Sequence, residues 1–250
     1  MRFARVREGW VRVEGGQGLL LDDAPWRGGR ETGATAELSD LLAPVEPTKI
    51  ICVGRNYRAH AEEMGAEVPA EPLLFLKPPS SLLGQGGTIE PPAVSQRVDY
   101  EGEIGVVIGR RGRNIPERQA REHIFGLTCA NDVTARDIQR ADVQFTRGKG
   151  FDTFCPVGPW IETDAPSLDD LELITRVDAE VRQRGRTSQM IFGIEHLVAY
   201  ISAVMTLEPG DLILTGTPEG VAPLQPGQRV EVEVVGIGTL CNVMGERTVA

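Results

Sequence analysis

Turn-forming residues interrupt this chain so often that long uninterrupted elements are excluded. Glycine and proline make up 46 of its 250 residues, against about 12% in an average globular chain. They are scattered without a period, so the chain is neither collagen-like nor of low complexity. That spacing calls for many turns joining short strands. Strands and helices do not alternate regularly, which argues against a doubly wound sheet. The expected class is α+β, mostly β.

Several elements can be read directly. Glu103 to Ile108 is a mostly apolar run that suits a buried strand. Val230, Val232 and Val234 alternate with Glu231 and Glu233, the period of a half-buried strand. Ile194, Leu197, Val198, Ile201 and Met205 follow helical spacing and predict a buried helix ending before Pro209-Gly210. Pro116 and Gly126 bracket another short helix. Thr134 and Asp137 form a weak capping box. Residues 1–46 read as a small N-terminal domain of short strands. Residues 47–250 carry every chemically suggestive motif and form the expected catalytic domain.

The formal charge is −10, which disfavours nucleic acid or an anionic membrane as a partner. An anionic substrate then needs basic residues gathered locally, and the chain has only three lysines, Lys49, Lys77 and Lys149. Cys52, Cys129, Cys155 and Cys241 form no CxxC pair and are expected to be buried free thiols. No apolar run is long enough to span a membrane, and the N-terminal segment has no signal-like apolar core. The cytoplasm is the expected compartment. A Gly-x-Ser-x-Gly elbow, a Walker loop and a Gly-x-Gly-x-x-Gly motif are all absent. With His60, His123 and His196 the only histidines, a multi-histidine zinc site is improbable.

The chemistry concentrates in acidic groups. On a strand, Glu101 and Glu103 point to one face, with Gly102 between them leaving room on the other for a neighbouring backbone. Two such charges persist side by side if a cation lies between them or if one holds a proton. A solvated edge strand is the alternative, and the apolar IGVVI that follows weighs against it. Asp132, at the end of a small-residue strand, supplies a third carboxylate. Three carboxylates without a histidine or thiol suit Mg²⁺ or Mn²⁺.

Residues 54–65 read as a helix of about two turns, with Asn56 as N-cap and Gly65 just past the end. His60 and Glu63 share a face three residues apart, either as a surface pair or as an oriented base on a mobile lid. Arg136 and Gln139 follow Asp132 on the next helix. Lys149 lies between glycines, on backbone that can approach a ligand. Lys77 ends an apolar strand, and Thr217 lies in a Gly/Pro turn. Together these groups can anchor a carboxylate or dicarboxylate beside a metal.

The ordered set GRNYRAHAEE, FLKPPSSL, DYEGEIGVVIG, FGLTCANDVTARDIQ, KGFDTFCPVGPW, LEPGDLILTGTPEGV and GIGTLCNV resembles the fumarylacetoacetate hydrolase family. It spans about residues 50 to 243. The resemblance implies a mixed β-roll catalytic domain, a homodimer, and one Mg²⁺ or Mn²⁺ per subunit held by Glu101, Glu103 and Asp132. His60 and Glu63 would be the water-activating dyad on the lid, and Lys149 would contact the substrate oxygens at the metal. Arg136, Gln139, Arg55 and Asn56 would line the pocket, with Lys77 and Thr217 holding a substrate carboxylate. The implied substrate is a small 2-oxo (di)carboxylic acid. The reaction implied is C–C cleavage of an acylpyruvate-type 2,4-dioxo acid through a pyruvate enolate. The alternative is decarboxylation or isomerisation, of 2-hydroxyhepta-2,4-diene-1,7-dioate or its precursor in aromatic degradation, or of oxaloacetate.

Overall fold

The computed structural model describes residues 1–165 and 167–247. Its largest sheet has eleven strands. In spatial order ten of them run Glu31–Ala36, Gln17–Leu21, Gly9–Glu14, Arg2–Val6, Cys155–Glu162, Ile124–Asn131, Gly102–Ile108, Leu212–Leu214, Ile50–Gly54 and Leu73–Lys77. Leu82–Leu83 joins Cys155–Glu162 in parallel. Ile50–Gly54 is parallel to Leu212–Leu214, so the sheet is mixed. A second sheet orders Glu180–Arg186, Glu172–Val177, Arg229–Val234, Gly238–Met244 and Thr88–Ile89. The expected α+β, mostly β class is what the chain adopts. The strands of residues 1–36 extend the large sheet, through pairing of Phe3 with Ile161.

The strand period decides the packing. On Gly102–Ile108, Ile104, Val106 and Ile108 face the second sheet and meet Leu173, Val232, Val234 and Leu240. The helix Ile194–Val204 lays Leu197, Val198 and Ile201 on the same core. Val107 points the other way, into a cluster with Ile50, Cys52, Cys155 and Leu214. All seven residues of this strand are buried, as its apolar run predicts. Truncating one of its isoleucines to alanine would cost about 2–5 kcal/mol.

Several local expectations change. The turn after Pro116 is a 3₁₀ helix, Glu117–His123, and Gly126 lies inside the next strand. A Cβ there would come within 2.6 Å of the Glu162 carbonyl oxygen, so close strand approach, not helix termination, requires the glycine. The Thr134–Asp137 capping box does not form. Thr134 donates to the Asp132 carbonyl, and Asp137 accepts from Ser95 and the Gln96 amide. The four cysteines are free, and Cys241 is only half-buried.

Candidate active site

Four strand ends meet at one edge of the large sheet. Gly102–Ile108 begins there. Its antiparallel neighbour ends there, with Asn131 opposite Gly102. Ile50–Gly54 and Leu212–Leu214 also end there, releasing the turns that begin at Arg55 and Thr215. Glu101 lies just before its strand. Its amide donates to Asn131 Oδ1 (2.9 Å), and its carbonyl accepts from the Asp132 amide (2.8 Å). This local exchange fixes Glu101 and Asp132 against each other and brings Glu103 beside them. Glu101, Glu103 and Asp132 each offer an oxygen within 4.8 Å of the others, and all three are buried.

Cations surround them. Lys149 Nζ donates to Glu101 (2.8 Å), Asp132 (2.7 Å) and the Thr134 hydroxyl (2.7 Å). Arg136 reaches Glu101 (2.5 Å), Asp99 (2.9 Å) and Gln139 (2.7 Å). Lys77 Nζ lies behind Asp132, at 2.6 Å. Burial opposes the charge of Glu101, but Lys149, Arg136 and His60 outweigh it and hold the group below the usual carboxylate range. Glu103 is pushed well above that range, by burial and then by Asp132 and Glu101. Burial likewise opposes the Lys149 charge, and Asp132 and Glu101 more than restore it.

Glu103 thus lacks a cationic partner among the described residues, where its one hydrogen bond is from the Gly216 amide (2.7 Å). Buried ion clusters add little net stability compared with apolar packing, so this one is best explained by ligand binding. The donor set is all hard oxygen, and it fits Mg²⁺ or Mn²⁺.

Above the carboxylates lies a cavity of about 180 Å³. Glu101, Glu103, Asp132 and Lys149 form its floor, and Arg55, Arg136, Gln139, Arg140 and Thr217 line it as well. Met64, Phe75 and Phe145 supply apolar wall, with Lys149 Nζ 5.2 Å from the Phe75 ring centre.

His60 closes the cavity from the short helix Arg58–Glu63 and is itself buried. Its Nδ1 pairs with Glu63 at 3.2 Å, and Glu63 accepts from the Gly220 amide. The turn 215–221 therefore orients the carboxylate that orients the imidazole. With Nδ1 committed, Nε2 is the nitrogen free to take a proton.

Three expected site residues, Glu63, Asn56 and Lys77, do not line the cavity. Asn56 is neither the N-cap, which is Tyr57, nor a cavity residue. It is fully buried and bonded to the Thr215 carbonyl (2.7 Å) and to both backbone groups of Phe192. Lys77 is buried, with Nζ donating to Asp132 and to the Val133 carbonyl. Thr217 does line the cavity, but its hydroxyl donates to the Gly102 carbonyl and accepts from Gln183. Gly65, just past the helix Arg58–Glu63, is in the left-handed conformation, as expected (φ 64°).

The glycine expectations also shift. Side chains, not backbone, crowd Gly102, where a Cβ would lie 2.0 Å from Thr175 Oγ1. At Gly148 the neighbour is the Gln139 backbone, so that glycine serves helix contact.

Sequence reasoning missed Asp99, which anchors Arg136, and Thr134, which anchors Lys149. It also missed the wall residues Met64, Phe75, Arg140 and Phe145. Asp99 opens the same acidic motif as Glu101, and Phe75 shares the Lys77 strand, so both signals were present.

Residues 49–244 match the model for the C-terminal domain of fumarylacetoacetate (FAA) hydrolase. Protein Rv2993c of Mycobacterium tuberculosis is 52% identical over 215 residues, covering 84% of this chain and 81% of the relative. A mitochondrial oxaloacetate decarboxylase of Dictyostelium discoideum is 48% identical, covering 76% of this chain and 90% of the relative. The crystal structure of 2-hydroxyhepta-2,4-diene-1,7-dioate isomerase from Mycobacterium marinum superposes with a TM-score of 0.90 at 44% identity, covering 98% of each chain. A buried acidic triad, the His60–Glu63 pair and a family match that spans both thus converge, and the chain belongs to the fumarylacetoacetate hydrolase family.

Proposed function

We propose that this enzyme is divalent-metal-dependent and cleaves a carbon–carbon bond in an acylpyruvate-type 2,4-dioxo acid. One observation carries the reading: His60, paired with Glu63, faces the same cavity as the Glu101, Glu103, Asp132 and Lys149 cluster. A bound Mg²⁺ or Mn²⁺, held by the three carboxylates, would supply Lewis acidity at the substrate keto oxygen. Lys149 adds a fixed positive charge on the same wall, favouring negative charge as the bond breaks. Arg136 and Gln139 keep each other in place beside it. Glu63 holds the Nδ1 proton of His60, so Nε2 accepts a proton from water. The resulting hydroxide adds to the acyl carbonyl. The bond to the neighbouring carbon then breaks, and its electron pair leaves with the pyruvate half as an enolate, which takes up a proton at carbon.

A second reading is favoured by the names of two relatives, one an oxaloacetate decarboxylase and the other a dienedioate isomerase. Loss of CO₂ or a proton shift uses the same charge placement but no activated water. A panel of acetylpyruvate, fumarylpyruvate, oxaloacetate and 2-hydroxyhepta-2,4-diene-1,7-dioate with Mg²⁺ separates the readings. Under the first, His60→Ala lowers hydrolysis by about 10²–10⁴-fold, the usual contribution of oriented acid–base catalysis. Oxaloacetate decarboxylation is then affected far less. Equal losses, or wild-type turnover of oxaloacetate or the dienedioate alone, would overturn the hydrolase reading.

A further inference from the structure

Two guanidinium groups on the cavity wall lack an anion. Arg55 and Arg140 both line the cavity, and among the described residues neither forms an ion pair or a side-chain hydrogen bond. Arg55 Nε is sealed from solvent with no acceptor, and the residue sits in the left-handed region at φ 51°. Arg140 lies on the helix Arg136–Ala141, one turn beyond Arg136, or about 6 Å along the axis. Arg136 is fully engaged by Asp99, Glu101 and Gln139. The next turn therefore offers a free cation further from the carboxylate floor.

Charge bookkeeping points the same way. The buried anions Asp99, Glu101, Glu103 and Asp132 face the cations Lys77, Arg97, Arg136 and Lys149. Four carboxylates thus meet four cations. A divalent ion would add two positive charges, of which the carboxylate of a 2-oxo acid cancels one. Arg55 and Arg140 stand outside this balance, and a monocarboxylate would leave both unmatched.

We propose that Arg55 and Arg140 form a second anion subsite that takes the distal carboxylate of the substrate. The enzyme is thereby selective for 2-oxo dicarboxylates over monocarboxylates of the same length. Guanidinium forks suit a carboxylate in number and direction. Met64, Phe75 and Phe145 supply apolar wall for the carbon chain between the two charged ends. This inference rests on the reading that the 2-oxo end binds at the carboxylate floor.

The test uses 2-oxoglutarate and 2-oxovalerate, which differ only in a terminal carboxylate against a methyl group. Oxalate, which has no distal group, serves as the third probe. Their affinities are measured by calorimetry on the full chain with saturating Mg²⁺ or Mn²⁺. The wild type is expected to bind 2-oxoglutarate at least about tenfold more tightly than 2-oxovalerate, the scale of one charge-assisted hydrogen bond. Arg140→Gln and Arg55→Gln should each reduce that ratio, and the double variant should bring it near one with oxalate affinity kept. Neither side chain has a partner whose loss would unfold the chain. A wild type without preference, or variants that keep it, would overturn the subsite. Oxalate failing to bind the wild type with either metal would instead overturn the reading beneath it, and the subsite with it.

Discussion

Gly102 holds the two glutamates of the site in register, and the reason is a steric one that can be tested. A Cβ added there would lie 2.0 Å from Thr175 Oγ1 and 3.3 Å from both Gln183 Oε1 and Thr175 Cβ. The optimum for non-bonded heavy atoms is about 3.5–4.0 Å, so Gly102→Ala must push the two sheets apart locally. The backbone at this position is not left-handed, so collision is the main cost. Overpacking of this kind costs about 1–3 kcal/mol, or about 2–12 °C in midpoint for a chain of this size. Thr175→Ala removes the colliding oxygen, which is buried without a hydrogen-bond partner, so little else is lost. In the double variant the nearest atoms lie at 3.3 Å, and a few tenths of an ångström of adjustment suffices. Urea unfolding of the four proteins should give a coupling of about 1–2 kcal/mol, within the range for residues in contact. Mg²⁺ calorimetry should run in parallel, with affinity falling in Gly102→Ala as Glu101 and Glu103 shift, and recovering in the double variant. A Gly102→Ala penalty that is the same in the wild-type and Thr175→Ala backgrounds would refute the steric account.

Glu103→Gln keeps an acceptor for the Gly216 amide and removes a carboxyl group whose ionisation burial, Asp132 and Glu101 oppose. The metal-free variant should melt no lower than wild type, whereas Mg²⁺ at about a hundred times its Kd should stabilise only the wild type, by about 2.7 kcal/mol. Differential scanning calorimetry with and without Mg²⁺ reads both effects, and a variant that still gains stability would count against Glu103 as a ligand. Lys77→Met strands one oxygen of buried Asp132 and should destabilise the fold by about 3–5 kcal/mol, with partial recovery in Lys77→Met/Asp132→Asn. Chemical denaturation checks this, and a loss below one kcal/mol would refute it. Glu103 has a raised folded pKa, so the folded state binds the extra proton. Its contribution therefore falls as pH rises from the ordinary value of 4.5 toward the folded value. Metal-free stability should show that downward component above 4.5, and it should vanish in Glu103→Gln.

Some of this was legible from residue order alone. The EIGVVI strand, the alternating valines of 230–234 and the 194–205 helix rest on short-range periodicity, which survives any tertiary context that buries one face. The three carboxylates were legible because their residue types and local spacing already favour a hard cation. Roles that depend on a partner far along the chain were not. Asn56 looks like an N-cap until Phe192 and Thr215 claim its amide, and Lys77 looks like a substrate contact until Asp132 turns out to lie against it. Gly126 and Gly148 announce that space is short, without saying what takes it.

Local spacing thus settled which segments become strands and which side chains carry the chemistry. Only the tertiary structure decided which of those side chains face the cavity and which stand behind it. Hydrogen-bond partners distant in sequence, such as Phe192 and Thr215 for Asn56 and Asp132 for Lys77, compete for these polar groups, and that competition is resolved when the strand ends converge.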